Sequence, residues 1–171
     1  NDLVDWTNVP DDPIFQRAFP QEGMLSPEDF RRMVELVRSD APDREVRAAA
    51  AEIQQTLNPH PAGQLELNVP LLDGRPVTGV QHKYRETVLF FPSQGQTCHS
   101  FCTFCFRWPQ FVGMEDLRFA SREVDDLIGY LKAHPEVSDL LITGGDHMVM
   151  SSKTCAMYID RRLQAGLGHL M

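Results

Sequence analysis

Residues 82–108 read HKYRETVLFFPSQGQTCHSFCTFCFRW, and this stretch holds the most specific pattern in the chain. It contains a short apolar run, Thr87–Phe91, which is typical of a buried strand. The run leads into a loop with three cysteines spaced Cys-x3-Cys-x2-Cys: Cys98, Cys102 and Cys105. The sequence therefore predicts a strand that delivers three thiolates to one short loop.

The number of cysteines separates the kinds of metal site that this loop could form. Three thiolates can hold a four-iron cubane and leave one iron open to a small molecule, whereas structural zinc normally takes four protein ligands. Ferredoxins use other spacings and a fourth cysteine. A zinc knuckle completed by His99 and a disulfide with a spare thiol stay open as alternatives. Closely spaced cysteines suit a reducing compartment, so we expect a cytoplasmic location.

A second segment that could bind a ligand follows the next apolar run, Leu140–Thr143. Gly144 and Gly145 would let the backbone approach a ligand closely, and the Asp146 carboxylate could pair with an ammonium group. The same residues could also form an ordinary turn. The fourth cysteine, Cys155, lies on a predicted helix and is expected to be a small buried hydrophobe rather than a metal ligand.

The order of predicted elements indicates an α/β protein. Ser26 and Pro27 predict the start of one helix, residues 43–57 predict a second, and residues 59–81 are expected to be a long connection. From residue 82 the order is strand, loop, helix, strand, loop, helix, which is typical of a parallel βα barrel. We therefore expect an N-terminal region of arm, helices and connection at residues 1–81, and the start of a barrel at residues 82–171.

Length and charge limit the classes of function. The net charge of −8 argues against a nucleic-acid partner, and no apolar run is long enough to span a membrane. A complete barrel of eight βα units needs about 250 residues, whereas this chain has 171. Together with a first residue other than methionine, this leads us to expect a truncated barrel. The aromatic residues Trp6, Phe15 and Phe19 are expected to pack the N-terminal arm onto a core rather than stack on a cofactor.

The cysteine loop resembles the hallmark of the radical S-adenosylmethionine (SAM) superfamily, Cys-x3-Cys-x-aromatic-Cys, with Phe104 at the aromatic position. Residues 82–108 are similar to the corresponding stretch of the lysine 2,3-aminomutase family. So are DPIFQRAFP at residues 12–20 and LLITGGDHM at residues 140–148. The resemblance implies a partial (βα)6 barrel.

The resemblance also implies cofactors and site residues. Cys98, Cys102 and Cys105 would ligate a [4Fe-4S] cluster. The residues that would meet SAM are Phe104, Gly144, Gly145 and Asp146. Reductive cleavage of SAM would give a 5′-deoxyadenosyl radical that abstracts hydrogen from the substrate, and Arg107 would bind a substrate carboxylate. No catalytic residue is assigned.

The reaction that the family suggests is migration of an amino group on an amino acid with pyridoxal phosphate (PLP). His82 and Tyr84 hold positions near PLP in the family. However, Thr87 stands where the family has arginine, and the Schiff-base lysine would lie past Met171. Two alternatives are a radical SAM enzyme that modifies a protein side chain and a non-catalytic iron–sulfur or zinc-binding module. Expected partners are an amino acid, a reductant such as flavodoxin or ferredoxin, and a second copy of the chain.

Overall fold

The computed structural model describes residues 2–57, 63, 65–100, 102–111, 113, 118–122 and 124–171. The chain divides into two compact units. The helical unit comprises Asn1–Pro59 and Ser100–Cys105, and the sheet unit comprises His60–His99 and Phe106–Met171. This division falls inside the cysteine loop. The domain boundary expected between residues 81 and 82 is not tested by it and stays a prediction.

The helical unit takes its form from strong helix-start signals. Its helices are α1 (Pro13–Ala18), α2 (Pro27–Arg38) and α3 (Asp43–Thr56). Asp12 caps α1, because its carboxylate accepts a hydrogen bond of 2.7 Å from the Phe15 amide. Ser26 caps α2 in the same way, with its hydroxyl 3.1 Å from the Asp29 amide. The two helices that the sequence predicted, α2 and α3, are confirmed. The expected stop at residues 58–59 lies outside the described residues.

The core of the helical unit is small. Its buried apolar side chains among the described residues are Val4, Ala49 and Ile53. The arm adds a cluster of three rings, in which Phe15 and Phe19 stack with centroids 4.9 Å apart and Trp6 meets both edge-on. These three rings pack on one another, and Trp6 is 52% exposed, so packing of the arm onto a core stays a prediction.

In its described residues, the sheet unit contains two small sheets and two α-helices. Its elements are β1 (Leu71–Leu72), β2 (Arg75–Pro76), β3 (Val80–Tyr84), β4 (Thr87–Phe90), α4 (Val124–Ala133), β5 (Asp139–Ile142) and α5 (Ser152–Gln164). The main sheet has the order β3-β4-β5. β4 pairs parallel with β5 in a register that sets Phe90 opposite Ile142. Since α4 lies between them in the chain, β4, α4 and β5 form one βαβ unit.

Two expectations about this region need correction. The stretch 59–81 is not a plain connection, because it contains the hairpin β1–β2 and the first two residues of β3. Asp73 and Gly74 have positive φ angles of 51° and 75°, which suit a tight hairpin turn, so the Asp-Gly pair was a usable signal. The strands are not all parallel either, since β3 runs antiparallel to β4. The described residues form an α/β fold without a closed barrel.

The core of the sheet unit lies between the main sheet and its helices. Val88 and Phe90 on β4 are completely buried, and Leu127 and Leu131 on α4 pack in the same hydrophobic cluster. On the other face of the sheet, half of Leu141 is exposed. Burying a side chain such as Phe90 contributes about 1.5–3 kcal/mol, so this cluster fixes the position of both parallel strands. In the described part of the chain, no helix is long and apolar enough to cross a membrane.

Candidate functional site

The carboxyl ends of β4 and β5 lie side by side in the sheet unit. The Thr143 amide, just after β5, donates a 2.8 Å hydrogen bond to the carbonyl of Phe90, the last residue of β4. The chain that leaves β4 runs to Cys98, and the chain that leaves β5 runs to Gly144. The cysteine loop and the Gly-Gly-Asp segment therefore start at the same edge of the sheet, where parallel α/β proteins usually bind ligands.

The glycine pair packs directly on the chain that enters the cysteine loop. The Asp146 amide donates a 2.5 Å hydrogen bond to the carbonyl of Thr97, the residue before Cys98. A Cβ atom on Gly145 would overlap the Thr97 backbone. Gly144 has a φ of 122°, a conformation that strains any residue with a side chain. Both glycines are therefore required by the fold at this point.

The Asp146 side chain sits at the start of a short 3-10 turn, His147–Val149. One carboxylate oxygen accepts a 3.0 Å hydrogen bond from the Met148 amide, and the other lies 3.9 Å from Nδ1 of His99. The side chain is 39% exposed, so solvent and ligands can reach it. Its expected contact with an ammonium group stays a prediction.

In the helical unit, the cysteine loop is fastened to the end of α1. The Thr103 amide donates to the Arg17 carbonyl at 2.9 Å, and the Thr103 hydroxyl donates to the Gln16 carbonyl at 2.7 Å. These carbonyls belong to the last turn of α1, whose oxygens have no partner inside the helix. The segment DPIFQRAFP therefore has a physical task, which sequence reasoning missed: it anchors the residue that follows Cys102.

The chemistry of the three thiols fits a thiolate-bound cluster. None of the four cysteines, all within the described ranges, is in a disulfide, and each is half-buried. Cys102 and Cys105 lie on one turn, because the Cys105 amide donates to the Cys102 carbonyl at 3.0 Å. Over the described residues, no three His, Cys, Asp or Glu side chains are gathered closely enough to hold a metal ion. The fit therefore rests on the donor atoms and not on their arrangement.

The other sequence-predicted residues have distinct surroundings. Phe104 is 68% exposed, which leaves its ring available to a ligand. The Arg107 guanidinium lies over two rings, 4.5 Å from the centroid of Phe91 and 5.0 Å from that of Phe106. Such contacts hold an arginine in place. Cys155 lies on α5 and packs against the hydrophobic core, but it is half-buried and not fully buried as expected.

The residues expected near PLP do not fit that cofactor. Nδ1 of His82 lies 2.5 Å from the Tyr130 hydroxyl, and Nε2 lies 3.2 Å from the Arg85 carbonyl, so both ring nitrogens are occupied. Desolvation raises the pKa of Tyr130, which keeps its hydroxyl protonated and able to donate. Tyr84 and Thr87 face each other at the end of β4 away from the cysteine loop, and Thr87 is not basic.

The cysteine loop and the Gly-Gly-Asp turn, which are bonded through the Thr97 and Asp146 backbones, are the features in which this chain resembles radical SAM proteins. Comparison with curated proteins specifies the relationship further. The chain is 30% identical to the L-lysine 2,3-aminomutase of Clostridium subterminale over 128 residues, which are 74% of this chain and 29% of that protein. The L-lysine 2,3-aminomutase of Acetoanaerobium sticklandii is 33% identical over 50% of this chain and 20% of its own length. That of Bacillus subtilis is 31% identical over 53% of this chain and 18% of its own length.

This chain is therefore a radical SAM relative of the lysine 2,3-aminomutases. It spans between 18% and 29% of the length of these three relatives. No protein-family model matches the chain. No solved structure matches it either.

Proposed function

We propose that this chain provides the cluster-binding and SAM-binding segments of a radical SAM enzyme that acts on an amino acid. The observation that supports this most strongly is the backbone hydrogen bond from Asp146 to Thr97. It joins the glycine segment to the residue directly before the first cysteine, so two segments with separate chemical roles start from one place in the sheet unit.

Each residue has a defined task in this proposal. Cys98, Cys102 and Cys105 would hold a [4Fe-4S] cluster, whereas Gly144 and Gly145 would present backbone to SAM. When bound, the cluster and SAM would supply a 5′-deoxyadenosyl radical for hydrogen abstraction.

Two charged groups and one ring complete the proposed site. The Asp146 carboxylate, exposed beside the glycines, would balance the charge of the SAM ammonium group. Phe104 would cover the purine with its exposed ring. Arg107, held by its contacts with two rings, would bind the carboxylate of the substrate.

The wider setting is also proposed. The βαβ unit would be part of a (βα)6 barrel, and electrons would come from a reductant such as flavodoxin or ferredoxin. The names of the relatives suggest lysine as the first amino acid to test. Assembly with a second copy of the chain and a cytoplasmic location belong to the same proposal.

A second candidate is a radical SAM enzyme of another subclass, one that modifies a protein side chain without PLP. The surroundings of His82 favour it, since both ring nitrogens already have partners and Thr87 offers no positive charge for a phosphate group. Amino-group migration with PLP is the form of the main proposal that these residues support least.

Anaerobic reconstitution with iron and sulfide tests the proposal. We expect a reduced cluster whose electron paramagnetic resonance (EPR) spectrum changes on addition of SAM, and 5′-deoxyadenosine on addition of a reductant. Cys102→Ala should abolish the cluster, because two thiolates remain for it. Cys155→Ala is the matched control and should keep the iron content of the wild type, since Cys155 packs on the core.

The outcomes separate the candidates. Equal iron loss in Cys102→Ala and Cys155→Ala would overturn the ligand assignment, and a colourless zinc protein would overturn the whole proposal. If the cluster cleaves SAM, deuterium transfer from labelled lysine to 5′-deoxyadenosine favours the amino-acid enzyme. Transfer from a labelled peptide, with none from lysine, favours the protein-modifying subclass.

A further inference from the structure

Gln96 bridges the carboxyl ends of the two parallel strands. Its side-chain amide group donates a 2.8 Å hydrogen bond to the carbonyl of Pro92, two residues after β4. The same group donates at 3.3 Å to the carbonyl of Thr143, the residue after β5. One side chain therefore ties together the two backbone segments from which the cysteine loop and the glycine segment depart.

The side chain of Gln96 is buried, although Gln96 lies in a loop two residues before Cys98. Gln96 is only 9% exposed. Its Oε1 atom is buried and has no hydrogen-bond partner among the described residues. A buried acceptor without a partner costs free energy. The burial of Gln96 must therefore be offset by other interactions, which include the two hydrogen bonds that its NH2 group donates.

The glycine segment is shaped to receive this amide. A Cβ atom on Gly144 would overlap the Gln96 amide, and one on Gly145 would overlap the Thr97 backbone. The two glycines therefore serve contacts inside the protein, with residues 96 and 97, in addition to any contact with a ligand. The requirement for glycine at residue 144 follows from the amide of Gln96 and from the φ angle of Gly144.

We infer that Gln96 is a positioning residue, which sets the distance between the Gly-Gly-Asp segment and the chain that enters the cysteine loop. It acts through Thr143 and Pro92 and contacts no reacting atom. The inference rests on the proposed function to the extent that the segment held by Gln96 is the one assigned to SAM.

The test compares Gln96→Met with the matched control Gln94→Met in the full chain. Gln94 lies two residues earlier and accepts a 2.6 Å hydrogen bond from the Tyr158 hydroxyl, with no bond to either strand end among its described contacts. The first measurement is hydrogen–deuterium exchange of the cluster-free protein. Loss of the two side-chain hydrogen bonds in Gln96→Met should speed exchange over residues 143–149 roughly ten-fold. Residues 124–133 of α4 serve as the internal reference.

The second measurement is the affinity of the reconstituted protein for SAM, read from the EPR spectrum. Gln96→Met should weaken SAM binding roughly ten-fold while iron per chain stays at the value of the wild type, although loss of the two hydrogen bonds lowers the midpoint of thermal unfolding. A residue that only supported folding would lower iron per chain and leave the SAM affinity of the folded protein unchanged. Gln94→Met should leave exchange at residues 143–149 and SAM affinity unchanged.

A second substitution covers the case in which Gln96→Met does not fold. Gln96→Glu keeps the shape of the side chain but lacks the NH2 group that bonds both carbonyls, so it should behave like Gln96→Met. Wild-type behaviour of Gln96→Glu, or unchanged exchange at residues 143–149 in both variants, would overturn the inference. Failure of the wild type to bind SAM would overturn the proposed function instead, and the exchange measurement would still decide the role of Gln96.

Discussion

The helical unit and the sheet unit hold their parts of the cysteine loop by different means. In the sheet unit, the chain before Cys98 follows a strand whose Phe90 is completely buried in a hydrophobic cluster. In the helical unit, the turn that contains Cys102 is held by two hydrogen bonds from Thr103 to the end of α1. The difference shows that core packing fixes one side of the loop, whereas helix-end hydrogen bonds and caps fix the other.

The strongest test of this comparison removes one phenylalanine ring from each unit in turn. Phe90→Ala should destabilise the sheet unit by about 3–5 kcal/mol, because it leaves a cavity in the buried cluster. Phe30→Ala on α2 of the helical unit should cost less than about 1 kcal/mol, since Phe30 is 55% exposed. Urea unfolding followed by tryptophan fluorescence measures both losses. In the Trp6→Phe background the signal comes from Trp108 of the sheet unit, and in the Trp108→Phe background it comes from Trp6 of the helical unit. Equal losses in the two units would contradict the comparison.

A second substitution tests close backbone contact in the sheet unit. Gly145→Ala should cost about 1–3 kcal/mol and lower SAM affinity, because the new methyl group collides with the Thr97 backbone. Gly168→Ala is the matched control, since its Cβ would meet only Leu163 Cδ2 at 3.7 Å. Thermal unfolding and SAM titration measure the two effects. Tolerance of alanine at residue 145 would show that the contact with Thr97 is not required.

In the helical unit, the cap of α2 should contribute at least as much to stability as the half-exposed ring of Phe30. Ser26→Ala removes the acceptor for the Asp29 amide and should cost about 1 kcal/mol. Ser26→Asp restores an acceptor and is the control. Urea unfolding of the Trp108→Phe background reports this change through Trp6. No difference between alanine and aspartate at residue 26 would argue that α2 starts without help from its cap.

The smallest expected effect concerns the pH dependence of the sheet unit. A hydrogen bond from His134 lowers the pKa of Glu136 below its ordinary value of 4.5. A carboxylate whose pKa is lower in the folded state than in the unfolded state stabilises the folded protein. This stabilisation is complete at pH values above the unfolded-state pKa and is lost as the pH falls through the folded-state pKa. Glu136→Gln should therefore lower the unfolding midpoint slightly at pH 7 and have no effect below the pKa of the folded wild type. A difference that stays constant down to pH 3 would contradict this explanation.

Local signals in the sequence were sufficient for much of the fold. Ser26 with Pro27 gave the start of α2, and the apolar runs gave β4 and β5 to within one residue. The hairpin β1–β2 was missed because its strands are two residues long and too short for periodicity. β3 was missed because its central residues, Gln81–Lys83, are polar and form no apolar run. Once β3 is recognised, its antiparallel direction follows, because only two residues connect it to β4.

The chemistry of the candidate site was also readable from the sequence, but its scaffold was not. The three cysteines and the Gly-Gly-Asp segment stand out by spacing and residue type. Gln96 and Thr103 do not, because glutamine and threonine are common in loops and their tasks depend on carbonyl groups of distant residues. No single-sequence pattern marks a side chain whose partner is another segment's backbone.

The carboxylate of Asp146 already closes the turn at His147–Val149 through its bond to the Met148 amide. A cation that binds this carboxylate would compete with the Met148 amide for the oxygen that the amide bonds. Occupancy at residue 146 and winding of the next three residues are consequently linked. Backbone chemical shifts at residues 147–149 would report binding of a cation without any label on the cation itself.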